Sequence, residues 1–113
     1  MKLALVAGES SGDQLAAALI KGVRNANPAA QAYGIAGEAM QREGAVAWWS
    51  SQSLAVRGYF EPIKHLPRIL KMRRELIERT VALRPDVFIG VDAPDFNLGV
   101  ETKLRAQGVP TMH

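Results

Sequence analysis

The sequence predicts an α/β protein with a doubly wound, Rossmann-like parallel sheet. Short apolar runs that suit buried strands alternate with longer segments of helical apolar spacing, and glycine or proline separates many of them. The most strand-like run, residues 87–91, contains no charge, as is typical of a strand covered on both faces. Strands that alternate with helices form βαβ units, and such units build a parallel sheet.

Each element can be justified in order. Residues 2–7 predict the first strand, and a glycine-containing loop at residues 8–13 leads into a helix in which Ser or Asp would be the N-cap. This helix should bury Leu15, Leu19, Ile20 and Val23, which recur at helical spacing. The later elements are a strand at 32–36, a short helix around Met40, a strand with one core and one rim tryptophan (Trp48 and Trp49), an amphipathic helix at 63–84, the strand at 87–91, a helix from Phe96 to Gln107 closed by Gly108, and a strand at 109–113.

Length, charge and composition narrow the class of protein. The 113 residues can bury the core of one domain, and they contain no cysteine for a disulfide or a thiolate metal site. The longest apolar runs, residues 3–7 and 15–20, are too short to cross a bilayer. His65 and His113 have no partner at ligand spacing, so we expect no metal site, and we expect no nucleic-acid partner.

Two carboxylates, Asp92 and Asp95, follow the central strand. In open α/β sheets ligands bind in the crevice beyond the carboxyl ends of the strands, so both acids are candidates for chemistry. Pro94 would stiffen the turn between them. Asp95 also suits the N-cap of a helix that begins at Phe96, whereas Asp92 lies outside any cap.

The loop Gly8-Glu9-Ser10-Ser11-Gly12 allows a different interpretation. It has the G-x-S-x-G pattern of a hydrolase nucleophile elbow, and Asp92 and His113 follow it in the hydrolase order. Only seven residues precede Gly8, whereas an elbow normally follows several strands. A serine hydrolase that uses Ser10 remains one alternative, and a non-catalytic sugar- or nucleotide-binding module is another. The loop matches neither a P-loop nor G-x-G-x-x-G.

One stretch predicts contact with lipid. Residues 63–84 carry a local net charge of +5 although the whole chain carries +3. Apolar side chains beside a basic stripe are typical of surfaces that dock on anionic lipid head groups. The residues of this predicted surface are Leu54, Val56, Tyr59, Phe60, Lys64, Arg68 and Lys71. The simpler alternative is a solvated basic face on a core helix.

Several segments together carry a specific resemblance. The segments LVAGESSGD, GIAGEAM, LAVRG, PDVFIGVDAPDFNL and GVPTMH occur in order over essentially the whole chain and resemble the N-terminal part of lipid-A-disaccharide synthases. The resemblance implies a GT-B fold of two Rossmann-like halves. Residues 1–113 would be part of the acceptor-side half, and the nucleotide-sugar domain would lie outside this chain.

The activity implied by the resemblance is an inverting glycosyl transfer in lipid A biosynthesis. The parent enzyme would transfer 2,3-diacylglucosamine from its UDP derivative to 2,3-diacylglucosamine 1-phosphate and release UDP. Asp92 would be the general base. The residues implied to bind substrate are Ser10, Ser11, Gly12, Asp13, Asp95 and Asn97.

The resemblance also implies the partners and the location. It implies an acylated glucosamine phosphate acceptor, a UDP-sugar donor held by the other half, an anionic membrane surface and no cofactor. The enzyme would be cytoplasmic and peripheral on the inner membrane, and residues 1–113 alone would be inactive.

Overall fold

Five parallel strands form one sheet in the order β3-β2-β1-β4-β5. We analysed a computed structural model, which describes residues 1–53, 62–92 and 94–113. The strands are β1 (Lys2–Val6), β2 (Gln31–Ala36), β3 (Val46–Ser50), β4 (Val87–Gly90) and β5 (Thr111–Met112), and the helices are α1 (Ser10–Ala26), α2 (Glu38–Arg42), α3 (Pro62–Leu83) and α4 (Pro94–Ala106). This doubly wound α/β architecture confirms the predicted fold class.

Both faces of the central strands are buried, which explains their uninterrupted apolar sequences. On β1, Leu3 and Leu5 pack on the side of α1, while Ala4 and Val6 pack on the side of α3 and α4. Neighbouring residues of a strand point to opposite faces, so only a run of apolar residues can fill both layers. The core therefore consists of two apolar layers, one on each face of the sheet.

Helix α1 turns a different face to the sheet from the one predicted. Its buried apolar residues are Ala16, Ala17 and Ile20, whereas Leu15 is 64% exposed and Leu19 is 38% exposed. The prediction that both leucines face the core is therefore wrong. Asp13 is buried at the start of the helix, and residues three, four and seven positions later share its side.

On the opposite face, α3 and α4 cover the sheet. Helix α3 buries Met72 and Leu76, and α4 buries Phe96, Val100 and Leu104. Gly108, with φ of 83°, follows α4 as predicted, and this conformation suits a residue without a Cβ atom. Across the three described ranges, no helix combines the length and apolar character needed to span a bilayer.

The edge strand β3 contains an irregularity that changes the predicted placement of its tryptophans. Gly34 pairs with Ala47 and Ile35 pairs with Trp49, so Trp48 is an extra residue on β3. Both tryptophans are half-buried and pack beside the layer under α3, so the prediction of one core and one rim residue is wrong. A bulge interrupts the alternation of side chains along a strand, which is the physical reason.

Candidate functional site

Asp92 lies where the direction of chain progression across the sheet reverses. The chain moves from β1 towards β3 on one side and from β4 to β5 on the other, so β1 and β4 flank the switch point. In open α/β sheets, this crevice at the carboxyl ends of the strands is the usual ligand site. Asp92 follows β4, and the loop from Gly8 follows β1. The fold therefore brings the two predicted site segments together.

The carboxylate of Asp92 is held by backbone groups of the glycine loop. The N–H of Gly8 donates to Oδ1 at 2.5 Å, and the N–H of Glu9 donates to Oδ2 at 2.8 Å. An ionised carboxylate has about four acceptor positions, so two donors leave room for further hydrogen bonds. Asp92 is half-buried and remains accessible at the crevice.

Gly12 is required by the position of Asp92. A Cβ atom at residue 12 would overlap Oδ2 of the Asp92 carboxylate. Gly12 is buried in the first turn of α1, whereas Ser10 and Ser11 are exposed at its start. The N-cap of α1 is Glu9 and makes no side-chain capping bond, so the predicted Ser or Asp cap is wrong.

Asp13 caps a different helix from the one in which it lies. Its side chain accepts hydrogen bonds from the backbone N–H groups of Gly37 at 3.0 Å, Ala39 at 2.9 Å and Met40 at 3.0 Å. These groups belong to the start of α2, where N–H groups lack partners within the helix. Asp13 is 7% exposed, so its carboxylate serves mainly to join α1 to α2.

A polar cavity of about 750 Å³ lies beside this assembly. It is bounded by residues that follow β1, β2 and β3, namely Gly8, Glu9, Ser10, Asp13, Gly37, Glu38, Gln41, Ser50, Ser51 and Gln52. Within the described part of the chain, this lining includes three acids and no Lys, Arg or His. The residues after β2 and β3 were missed from the sequence. Their position just beyond the predicted strands was the signal that could have identified them.

Ser51 is one of the missed residues with a defined contact. Its hydroxyl donates to the backbone oxygen of Ala7 at 2.6 Å and is buried. This bond joins the turn after β3 to the end of β1, two strands away in the sheet. Ser51 therefore fixes the wall of the cavity.

Helix α4 supports Asp92 from the other side. Asn97 is fully buried, and its side-chain N–H donates to the backbone oxygen of Asp92. A Cβ atom on Gly90 would lie 2.8 Å from Cγ of Asn97, so the glycine allows this close packing. Helix α4 begins at Pro94 and not at Phe96, so the prediction that Asp95 is its N-cap is wrong. The side chain of Asp95 lies outside what the structure describes.

The geometry does not form the hydrolase triad. Asp92 accepts from Gly8 and Glu9, and Nδ1 of His113 lies 2.9 Å from Oε2 of Glu101. In the described part of the chain, Arg84 is the one non-glycine residue with positive φ, so Ser10 lacks the strained backbone of an elbow. Nor do three or more His, Cys, Asp or Glu side chains converge within the described residues in a way that could hold a metal ion.

The predicted lipid surface is described only in part. Leu54, Val56, Tyr59 and Phe60 lie outside the described residues, as does the side chain of Lys64. Arg68 and Lys71 are exposed on α3. The guanidinium of neighbouring Arg73 lies beside Gly99 of α4, so it does not share that exposed face.

Comparison with known proteins identifies relatives over the whole chain. A family model described as lipid-A-disaccharide synthetase matches residues 3–113. The chain is 53% identical over 111 residues to a lipid-A-disaccharide synthase from Glaesserella parasuis, which covers 98% of this chain and 29% of that protein. It is 50% identical over 113 residues to the synthase from Dechloromonas aromatica, covering 100% and 30%. It is also 50% identical over 111 residues to the synthase from Neisseria gonorrhoeae, covering 98% and 28%. The chain thus spans about 30% of the length of a relative such as the Dechloromonas aromatica protein.

Proposed function

The chain belongs to the lipid-A-disaccharide synthase family, and we propose that it forms part of the acceptor-side domain of a GT-B glycosyltransferase. The observation that carries this proposal is the placement of Asp92. Its carboxylate is fixed at the β1–β4 switch point, beside a polar cavity of about 750 Å³. Parallel sheets of this kind place ligands at this position.

In the proposed reaction, 2,3-diacylglucosamine passes from its UDP derivative to a hydroxyl of 2,3-diacylglucosamine 1-phosphate. Asp92 accepts the proton of that hydroxyl while the oxygen attacks the anomeric carbon, and UDP leaves from the opposite face. The N–H groups of Gly8 and Glu9 hold the carboxylate in one orientation before substrate arrives. A base that is already oriented needs no rearrangement as the proton moves.

The cavity suits a sugar better than a diphosphate. Its described lining offers carboxylates, hydroxyls and amides, and no cationic side chain is among the lining residues that the structure describes. Such a wall accepts hydrogen bonds from sugar hydroxyls, whereas a diphosphate calls for donors or cations. We therefore assign the UDP-sugar to a domain outside this chain, and we expect residues 1–113 alone to be inactive.

The test uses a chimera in which residues 1–113 replace the matching segment of the Dechloromonas aromatica synthase. We expect this chimera to form lipid A disaccharide from the two sugars. Asp92→Asn keeps the size of the side chain but removes the base, so kcat should fall by roughly 100- to 10,000-fold while KM for the acceptor changes little.

A matched control is available at the opposite edge of the sheet. Asp86 accepts one exposed hydrogen bond from the backbone of Lys2, so Asp86→Asn makes the same chemical change far from the crevice. We expect that variant to keep the parental kcat. Full activity in the Asp92 variant would refute its role as base, and a folded chimera that makes no product would refute the proposed function.

Peripheral binding to an anionic membrane is the second part of the proposal. Lys64, Arg68 and Lys71 are spaced for one face of α3, and Leu70 beside them is 43% exposed. Further along, Lys71 and Arg74 lie 3.9 and 4.0 Å from Glu75 and Glu78. These exposed pairs are weak, so they leave Lys71 able to contact a lipid head group.

Vesicle co-sedimentation of the chimera tests this binding. Each cation near an anionic membrane contributes on the order of 1 kcal/mol, and salt screens that contribution. Reversal of Lys64, Arg68 and Lys71 to Glu should abolish binding to anionic vesicles at low salt. Reversal of Lys21, Arg84 and Lys103 changes net charge equally and should preserve it. Equal binding by the two triple variants would refute the proposal that this face of α3 contacts lipid.

A further inference from the structure

Helix α4 carries two buried polar residues among its apolar ones. Asn97 is fully buried and Glu101, one turn later, is 2% exposed. Burial of a polar or charged group is costly unless the group is hydrogen-bonded, so each needs a partner. Asn97 donates to the backbone oxygen of Asp92, and Oε2 of Glu101 lies 2.9 Å from Nδ1 of His113. The helix thus contacts the residues at the ends of two neighbouring strands.

His113 lies at the same edge of the sheet as Asp92. The register pairs Ile89 of β4 with Met112 of β5, so His113 is level with Gly90, two residues before Asp92. The cavity is bounded by residues after β1, β2 and β3, which lie on one side of Asp92. His113 lies on the other side of Asp92, at the end of β5. This strand is the neighbour of β4, and neighbouring strands of a sheet lie about 4.8 Å apart.

The contact with Glu101 decides which ring nitrogen remains available. An ionised carboxylate only accepts hydrogen bonds, so Nδ1 of His113 carries the proton in this pair. Nε2, the other ring nitrogen, is not engaged by Glu101 and is left for a further hydrogen bond. The side chain of Glu101 is 3% exposed and that of His113 is 42% exposed, so the glutamate is a buried support for an accessible ring.

We propose that His113 contacts substrate through a hydrogen bond between Nε2 and a sugar hydroxyl, and that buried Glu101 orients the ring for this contact. This inference rests on the proposed function, and it adds a substrate-binding side chain on the side of Asp92 that faces away from the cavity. It makes His113 a substrate-contacting residue and Glu101 a positioning residue.

Two substitutions of His113 in the chimera separate this role from a structural one. Gln places an amide oxygen near the former position of Nε2, whereas Asn places an amide near Nδ1 and keeps only the partner of Glu101. We expect His113→Gln to retain kcat/KM within roughly threefold and His113→Asn to lose roughly tenfold, mainly through KM, as expected for the loss of one hydrogen bond.

Deoxy analogues of the two sugars provide a second measurement, the first part of which needs only the unsubstituted chimera. Removal of the hydroxyl that His113 holds should lower kcat/KM of the unsubstituted chimera by roughly tenfold. With that analogue, His113→Asn should match the unsubstituted chimera. An inactive but folded chimera refutes the proposed function, and this inference with it. An active chimera refutes the inference alone if the Asn and Gln variants are equal, or if no deoxy analogue removes the difference between His113→Asn and its parent.

Discussion

Asp13→Asn tests whether the acid in the first turn of α1 is a cap for α2. The Oδ1 atom of Asp13 accepts from Gly37 and Met40, and Oδ2 accepts from Ala39 at 2.9 Å. An asparagine can keep its oxygen in place of Oδ1, but its NH2 group then faces the N–H of Ala39. One hydrogen bond is lost, two donors oppose each other, and the remaining bonds lose the benefit of the charge.

The expected cost follows from these contacts. A hydrogen bond to a charged group contributes roughly 1.5–3 kcal/mol, and removal of an N-cap costs roughly 0.5–2 kcal/mol. We therefore expect Asp13→Asn to lower the free energy of unfolding by about 2–3 kcal/mol. With a urea dependence of roughly 1–3 kcal/mol/M for a small protein, the unfolding midpoint should fall by about 1–2 M.

Urea unfolding of the chain, followed by fluorescence of its two half-buried tryptophans, measures this change. Asp86→Asn is the matched control, because Asp86 accepts a single hydrogen bond at an exposed position. We expect that control to change the midpoint by less than half as much. If both variants unfold at the same urea concentration, Asp13 is not a structural cap. If the chimera with Asp13→Asn instead kept its stability and bound substrate more weakly, Asp13 would be a substrate-binding residue.

Two further predictions concern other close contacts. Gly12→Ala in the chimera should displace the Asp92 carboxylate and lower kcat/KM by roughly 100-fold, as expected for a misplaced catalytic group. Gly22→Ala in the same helix meets no atom within 4 Å and should stabilise the chain by about 0.5–1 kcal/mol in urea unfolding. The Arg79 guanidinium lies 5.7 and 5.2 Å from the Trp48 and Trp49 ring centroids, so Arg79→Ala should cost about 1 kcal/mol and shift tryptophan emission to longer wavelength. Arg74→Ala, which breaks an exposed pair, should cost less than about 0.5 kcal/mol, and an equal cost would contradict the cation–π contact.

The sequence predicted the features that depend on neighbours along the chain. The apolar run before Asp92 and the glycines around Ser10 each identify the end of a strand and the start of a helix. The doubly wound order then brings those ends together, which is why the crevice could be predicted before its geometry was known.

Contacts between distant segments were beyond the reach of such patterns. Asp13 finds its partners 24 to 27 residues away, and nothing in its local sequence indicates that a short helix will begin beside it. The burial of Trp48 together with Trp49 depends on a shift opposite Gly34 on another strand. Leu15 and Leu19 were assigned to the core because helical spacing fixes a periodicity but not which of two apolar faces packs inward.

The position of Asp92 also determines how its proposed role can be tested. Because its carboxylate joins β4 to the loop after β1, Asp92→Asn changes both the chemistry and the link between the two strands. Gly12→Ala leaves the carboxylate chemically intact and changes its position. A base should be sensitive to both changes, whereas a purely structural acid would lose activity only as far as stability falls. Large losses of kcat in both variants, at urea midpoints close to the parent, would therefore identify Asp92 as the base. If the loss of kcat instead follows the fall in the urea unfolding midpoint, Asp92 is only a structural link between β4 and the loop after β1.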